Sequence, residues 1–73
     1  MKTSDLKVGD KVHYSPAHYG KTKWENGLVK EIRDSNTEGV WVVYNCNGEW
    51  KKYKEYTGAL TNLEDLKKGW RKV

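Results

Sequence analysis

The residues that most often do covalent or metal chemistry are scarce in this chain of 73 residues: one cysteine, Cys46, and two histidines, His13 and His18. A cysteine nucleophile needs a base within hydrogen-bond reach and something to lower its thiol pKa. Neither histidine stands at a recognisable catalytic spacing from Cys46, and no third group is placed to orient such a pair. Cys46 therefore reads as a small hydrophobe at a strand end. A closed zinc site draws on a full tetrahedral set of Cys and His ligands, which this inventory does not supply. Among the carboxylates, Glu64-Asp65 suits the start of a helical turn, where negative charge complements the backbone dipole. Glu25, Glu31, Asp34 and Glu38 scatter without pairing, and Gly20, Gly27 and Gly39 stand alone rather than in a phosphate-cradling motif. The expectation is no enzyme, no metal site and no cofactor.

Non-covalent chemistry is better represented. The stretch "WVVYNCNGEWKKYKEYTGALT", Trp41 to Thr61, holds five of the nine aromatic residues, three lysines and the cysteine. Two readings compete. In one, Trp50, Tyr53 and Tyr56 form an exposed platform beside Lys51, Lys52 and Lys54, with His13, Tyr14 and Tyr19 extending it from a neighbouring loop. Stacking a base on such a ring is worth about 1–3 kcal/mol, and lysines track the phosphates. In the other, Trp50, Tyr53 and Tyr56, spaced three apart, share one side of a helical turn and fold back as a satellite core. The lysines then point into water. The spacing favours packing, with one or two rings left at the surface. The C-terminal "KKGWRKV" sets four cations around Trp70, either as a phosphate-contacting tail or as a solvated end with the indole folded inward.

The elements that must position these groups are short. Lys11-Val12-His13-Tyr14 has the period-two pattern of a half-buried strand, entered through a turn at Val8-Gly9-Asp10 and ended by Ser15-Pro16. "AHYGKTKW" reads as a loop. "ENGLVKEIRD" reads as a strand with a bulge or strong bend, because Leu28 and Val29 are apolar neighbours followed by Lys30-Glu31. "DSNTEG" is a cluster of turn formers. "VWVVYN" is a strand covered on both faces. Asn47-Gly48 is a hairpin signal, but "EWKKYKEY" does not alternate, so an excursion with about one helical turn is expected there. "TGALT" is a further strand. Thr61 and Glu64 form a capping-box pattern for a second short turn, with Leu63 and Leu66 facing the core and Gly69 as its stop. The expected fold is mainly β: a single domain over residues 1–73, built as a small barrel of four to five short strands with two brief helical turns.

Bulk composition agrees with a thin core. A domain this small buries only about 60% of the surface its unfolded chain exposes. Four Trp and five Tyr with no Phe mean that every aromatic carries a polar tip. Fourteen basic and ten acidic side chains give a net charge of +4. Of that excess, +1 lies in residues 1–38 and +3 in residues 39–73. Residues 1–10 lack the apolar segment of a signal peptide, and no apolar run approaches the roughly 18 residues of a membrane span. The expectation is a soluble, cytoplasmic monomer with no membrane partner.

Read together, "LKVGDKVHY", "ENGLVKEI", "VWVVY" and the closing "LTNLEDLKKGW" resemble the small SH3-like barrels of the KOW and Tudor type. More closely, they resemble short uncharacterised bacterial and phage proteins with a Val-Gly-Asp-Lys-Val start, an Asn-Gly-hydrophobic-Val segment and a Val-Tyr strand. The match runs from Val8 to Trp70. Relatives of that architecture bind nucleic acid, peptide segments or modified lysines. The positive excess in residues 39–73 and the interleaved aromatics suggest a non-enzymatic binding module that takes nucleic acid on the aromatic–lysine surface. The resemblance, with the small size and the Trp and Tyr content, implies the alternative of a phage-type protein that docks on a host protein factor.

Overall fold

The structure is a computed structural model that describes residues 1–72. It is mainly β. Five strands, β1 (Lys11–Tyr14), β2 (Glu25–Glu31), β3 (Gly39–Val43), β4 (Ala59–Asn62) and β5 (Leu66–Lys68), form one antiparallel sheet in the order β4-β3-β2-β1-β5. Four short 3₁₀ turns, Thr3–Asp5, Ala17–Tyr19, Trp50–Glu55 and Leu63–Asp65, connect or precede them. Two of these, Thr3–Asp5 and Ala17–Tyr19, go beyond the two expected. The second lies inside the stretch read as plain loop, where Pro16 accepts a hydrogen bond from the Tyr19 N–H.

The sheet follows from the pattern of side chains. Val12 pairs with Gly27 and Tyr14 with Glu25, so these four share one face. Lys11–Leu28 and His13–Asn26 share the other. The register of β2 against β3 shifts between Val29 and Glu31, which is the bulge that Lys30-Glu31 after two apolar neighbours implied. The main core gathers Leu6, Val12, Val29, Val40, Val42, Leu63 and Leu66, with Tyr14, Ile32 and Tyr44 at its margin. Leu28 and Val43, which are directly paired, and Cys46 are also buried but stand outside that cluster.

Two local expectations are corrected. The cap of the Leu63–Asp65 turn is Asn62, whose Oδ1 accepts from the Glu64 N–H at 2.9 Å. Thr61 instead lies in β4 and is buried, its hydroxyl held by Tyr44. The signal was read one residue early because both Thr and Asn are good caps. Gly69 does not stop that turn. Leu66 already has extended backbone there, and β5 runs on to Lys68. Gly69, with φ of 85°, ends β5, and its N–H donates to the Lys11 carbonyl. Lys67 and Lys68 are accordingly strand residues, not partners of helical carbonyls.

Candidate functional site

The sequence singled out Tyr14, Tyr19, Trp50, Lys51, Lys52, Tyr53 and Lys54. The fold divides them into two groups. Tyr14 ends β1 and Tyr19 ends the Ala17–Tyr19 turn, and their rings meet edge to face at 5.4 Å. Tyr44 joins Tyr14 at 5.9 Å and His18 joins Tyr19 at 5.0 Å. Trp50 to Lys54 lie on the excursion between β3 and β4. Asn47 and Gly48 do take the positive φ of a tight turn, 53° and 79°. The chain then winds into Trp50–Glu55 rather than returning as a strand.

In a 3₁₀ turn, residues three apart eclipse. Trp50, Tyr53 and Tyr56 are all half-buried, while Lys51, Lys52, Lys54 and Glu55 are exposed. The Trp50 ring packs on Trp70 with centroids 4.8 Å apart. Trp70 donates its indole N–H to the Gly27 carbonyl at 2.7 Å, and the Lys11 ammonium lies 4.7 Å from the Trp70 ring. The Tyr53 hydroxyl approaches the open side of Gly9. Tyr56 donates its hydroxyl to Glu49 at 2.9 Å, while its carbonyl accepts from the Lys30 ammonium. The aromatic stretch is therefore mostly packing. Its lysines are left in water, with only the Lys54 ammonium near a ring, 6.0 Å from Tyr53.

The cations that converge come from elsewhere. A cleft of about 760 Å³ is lined by His13, Ser15, Pro16, Lys21, Lys67 and Arg71, among others. Three separate segments meet there: the end of β1, the loop after Ala17–Tyr19, and β5 with its continuation. Arg71 is held firmly. Its backbone N–H donates to Asn26 Oδ1 at 2.9 Å, and Asn26 Nδ2 donates to its carbonyl at 2.8 Å. Its guanidinium lies 4.1 Å over the Trp24 ring. His13 Nδ1–H donates to the Gly69 carbonyl at 2.8 Å, which orients the ring. Beside this lies a second cleft, of about 400 Å³, lined by Tyr19, Thr22, Lys23, Trp24 and Glu25. Of the residues the sequence offered for a binding surface, His13 lines the basic cleft and Tyr19 the smaller cleft beside it. Lys21, Trp24, Lys67 and Arg71 were not selected. Lys67 and Arg71 belong to the cation-dense segment around Trp70, which the sequence offered as a phosphate-contacting tail, whereas Lys21 and Trp24 carried no such signal.

The remaining groups offer little covalent chemistry. Cys46 is 1% exposed. Among the described residues, no group of three or more His, Cys, Asp or Glu side chains is gathered to hold a metal ion, and no helix is long and apolar enough to cross a membrane. Burial pushes the Tyr44 hydroxyl up to about 12, against the opposing pull of its hydrogen bond to Thr61. Comparison of the chain with protein families, with curated proteins and with solved structures finds no match.

Proposed function

We propose that this chain is a non-enzymatic, cytoplasmic nucleic-acid-binding module that acts as a monomer. The observation that carries this reading is the convergence of Lys21, Lys67 and Arg71 on one cleft, with Ser15 and His13 on its wall and the Arg71–Trp24 stack at its side. Phosphates are met by cations, and bases by flat π-surfaces, so a single strand needs both within one groove. Tyr19 lines the adjoining cleft with Trp24 and supplies one further ring. The exposed Lys51, Lys52 and Lys54 add long-range attraction rather than a stacking platform, because the Trp50 ring is already occupied by Trp70. The strand order, with β5 beside β1 and one 3₁₀ turn between β4 and β5, supports the SH3-like relationship read from the sequence.

The test is anisotropy of labelled single-stranded RNA and DNA over a series of salt concentrations. Lys67→Gln with Arg71→Gln is expected to weaken binding about tenfold at physiological salt and to flatten the salt slope by roughly 1 to 1.5. Lys51→Gln with Lys52→Gln should weaken it far less. Equal losses from both pairs would mean only that a cationic protein meets a polyanion, and the cleft would lose its role.

A further inference from the structure

One groove on this basic protein combines the opposite charge with aromatic rings. A groove of about 460 Å³ is lined by Tyr14, Tyr44, Glu25, Asp65, Leu60 and Thr61, with Ala59 and Asn62 at its margin. No Lys or Arg borders it. Among the described residues the ion pair formed is Arg33–Glu31, and neither Glu25 nor Asp65 takes part in one. Two unpaired carboxylates therefore share a groove with two aromatic rings in a chain that carries four more cations than anions.

How the sequence builds this place is plain. Tyr14 pairs directly with Glu25 across β1 and β2, and with Leu66 across β1 and β5. Asp65, next to Leu66, is drawn in by the Ser15 N–H, which donates to its backbone carbonyl at 2.7 Å. Tyr44 is fixed by its hydroxyl contact with Thr61 Oγ1 at 2.7 Å. The rings of Tyr14 and Tyr44 stand 5.9 Å apart, tilted by 63°. The two rings of the floor are half-buried, and Leu60, 55% exposed on β4, forms an apolar lip. The four polar groups feel one another. After burial, the charges of Asp65 and Glu25 help hold the Tyr14 hydroxyl above its ordinary range, and both act in the same direction on Tyr44.

We propose that this groove receives an arginine or lysine side chain from an extended segment of a partner protein. Carboxylates supply the countercharge, and tyrosine faces attract a cation through their quadrupole. Leu60 covers the aliphatic stem that such side chains keep out of water. The source is a peptide rather than a free cation because the groove opens beside β4, the terminal strand of the sheet, paired only with β3. An extended segment can run along such an edge while alternate side chains drop into the groove. This surface shares no residue with the cleft of Lys21, Lys67 and Arg71, and it meets the smaller cleft beside Trp24 at Glu25. His13 and Tyr14 are neighbours on β1 and point to opposite faces of it, one lining each. The proposal does not depend on nucleic-acid binding.

The experiment is an amide NMR titration with a capped peptide that alternates valine with arginine. The same peptide with glutamate in place of arginine, guanidinium chloride and calcium chloride serve as comparisons. The arginine peptide is expected to shift Tyr14, Glu25, Tyr44 and the β4 amides, with guanidinium much weaker and the glutamate peptide silent. Glu25→Gln with Asp65→Asn should weaken the arginine peptide about tenfold. Glu25 is exposed and Asp65 half-buried, so the unliganded spectrum will report that the fold is kept. The proposal is overturned if the glutamate peptide shifts the same amides, if the double substitution leaves affinity unchanged, or if calcium alone reproduces the shifts. It is also overturned if those amides move with protein concentration alone, which would mark the groove as a contact with a second copy.

Discussion

A Cβ on Gly27 would stand 2.6 Å from a Val42 methyl, 2.8 Å from the Val43 carbonyl oxygen and 2.9 Å from the Tyr44 ring. The carbonyl cannot step aside without breaking sheet register. The missing side chain lets the Tyr44 ring lie flat enough to reach Thr61, while the Gly27 carbonyl anchors Trp70 from the other direction. Gly27→Ala is expected to cost about 1–3 kcal/mol in urea unfolding and to shift tryptophan emission, as an overpacked site does. Gly48→Asn, where nothing lies within 4 Å and Asn tolerates the positive φ, should be nearly silent. Tyr44 also sets an alkaline limit. Its hydroxyl ionises at about 12 when folded and near 10 when unfolded. Between those values the folded state holds the extra proton, so stability falls as pH rises through that window and is unaffected by Tyr44 below it. Tyr56, whose hydroxyl donates to Glu49, and Tyr14, which is partly buried, shift the same way. The latest step in the tyrosinate absorbance should disappear in Tyr44→Phe.

The Trp50–Glu55 turn shows how far local signals reach. Its existence was legible from the three-residue spacing of Trp50, Tyr53 and Tyr56, and so was the exposure of its lysines. Its partner was not. Nothing near Trp50 points to Trp70, because that contact is made by the fold and not by the segment. The turn is also kinked, with Lys52 at φ −105° and ψ 19°, so it is two single turns held together by what they rest on. Trp50→Ala should therefore cost about 2 kcal/mol, a partial version of a buried aromatic deletion. Lys51→Ala should stay within about 0.5 kcal/mol in the same unfolding measurement. The strands were easier. The alternation in Lys11–Tyr14 and the broken pattern after Val29 gave β1 and the β2 bulge directly, since both depend on neighbours in sequence. The basic cleft was hidden for the opposite reason. Lys21, Lys67 and Arg71 come from distant segments, and only the sheet order brings them together.

At the scale of the molecule, one strand sorts the charges. β1 presents His13 toward the cleft of cations and Tyr14 toward the groove of carboxylates. The net charge of +4 is a sum over surfaces of opposite sign. That arrangement would draw a polyanion and a cationic segment to different faces of β1, with Glu25, which borders both the groove and the smaller cleft beside Trp24, at the boundary between them. It also explains why composition alone was a poor guide to partners. The excess in residues 39–73 reflects fewer carboxylates there, four against six, and the cleft combines Lys67 and Arg71 from that half with Lys21 from the other.

The pairing of Val12, His13 and Tyr14 with Lys68, Lys67 and Leu66 joins nearly the first and nearly the last residues of the sheet. Until that pairing forms, one edge of β1 has no neighbour. Both proposed surfaces depend on it, because each needs a residue from β5 or beside it: Asp65 for the groove, Lys67 and Arg71 for the cleft. A substitution that loosens β5 alone would therefore weaken both surfaces at once, while the pairing of the other four strands is kept.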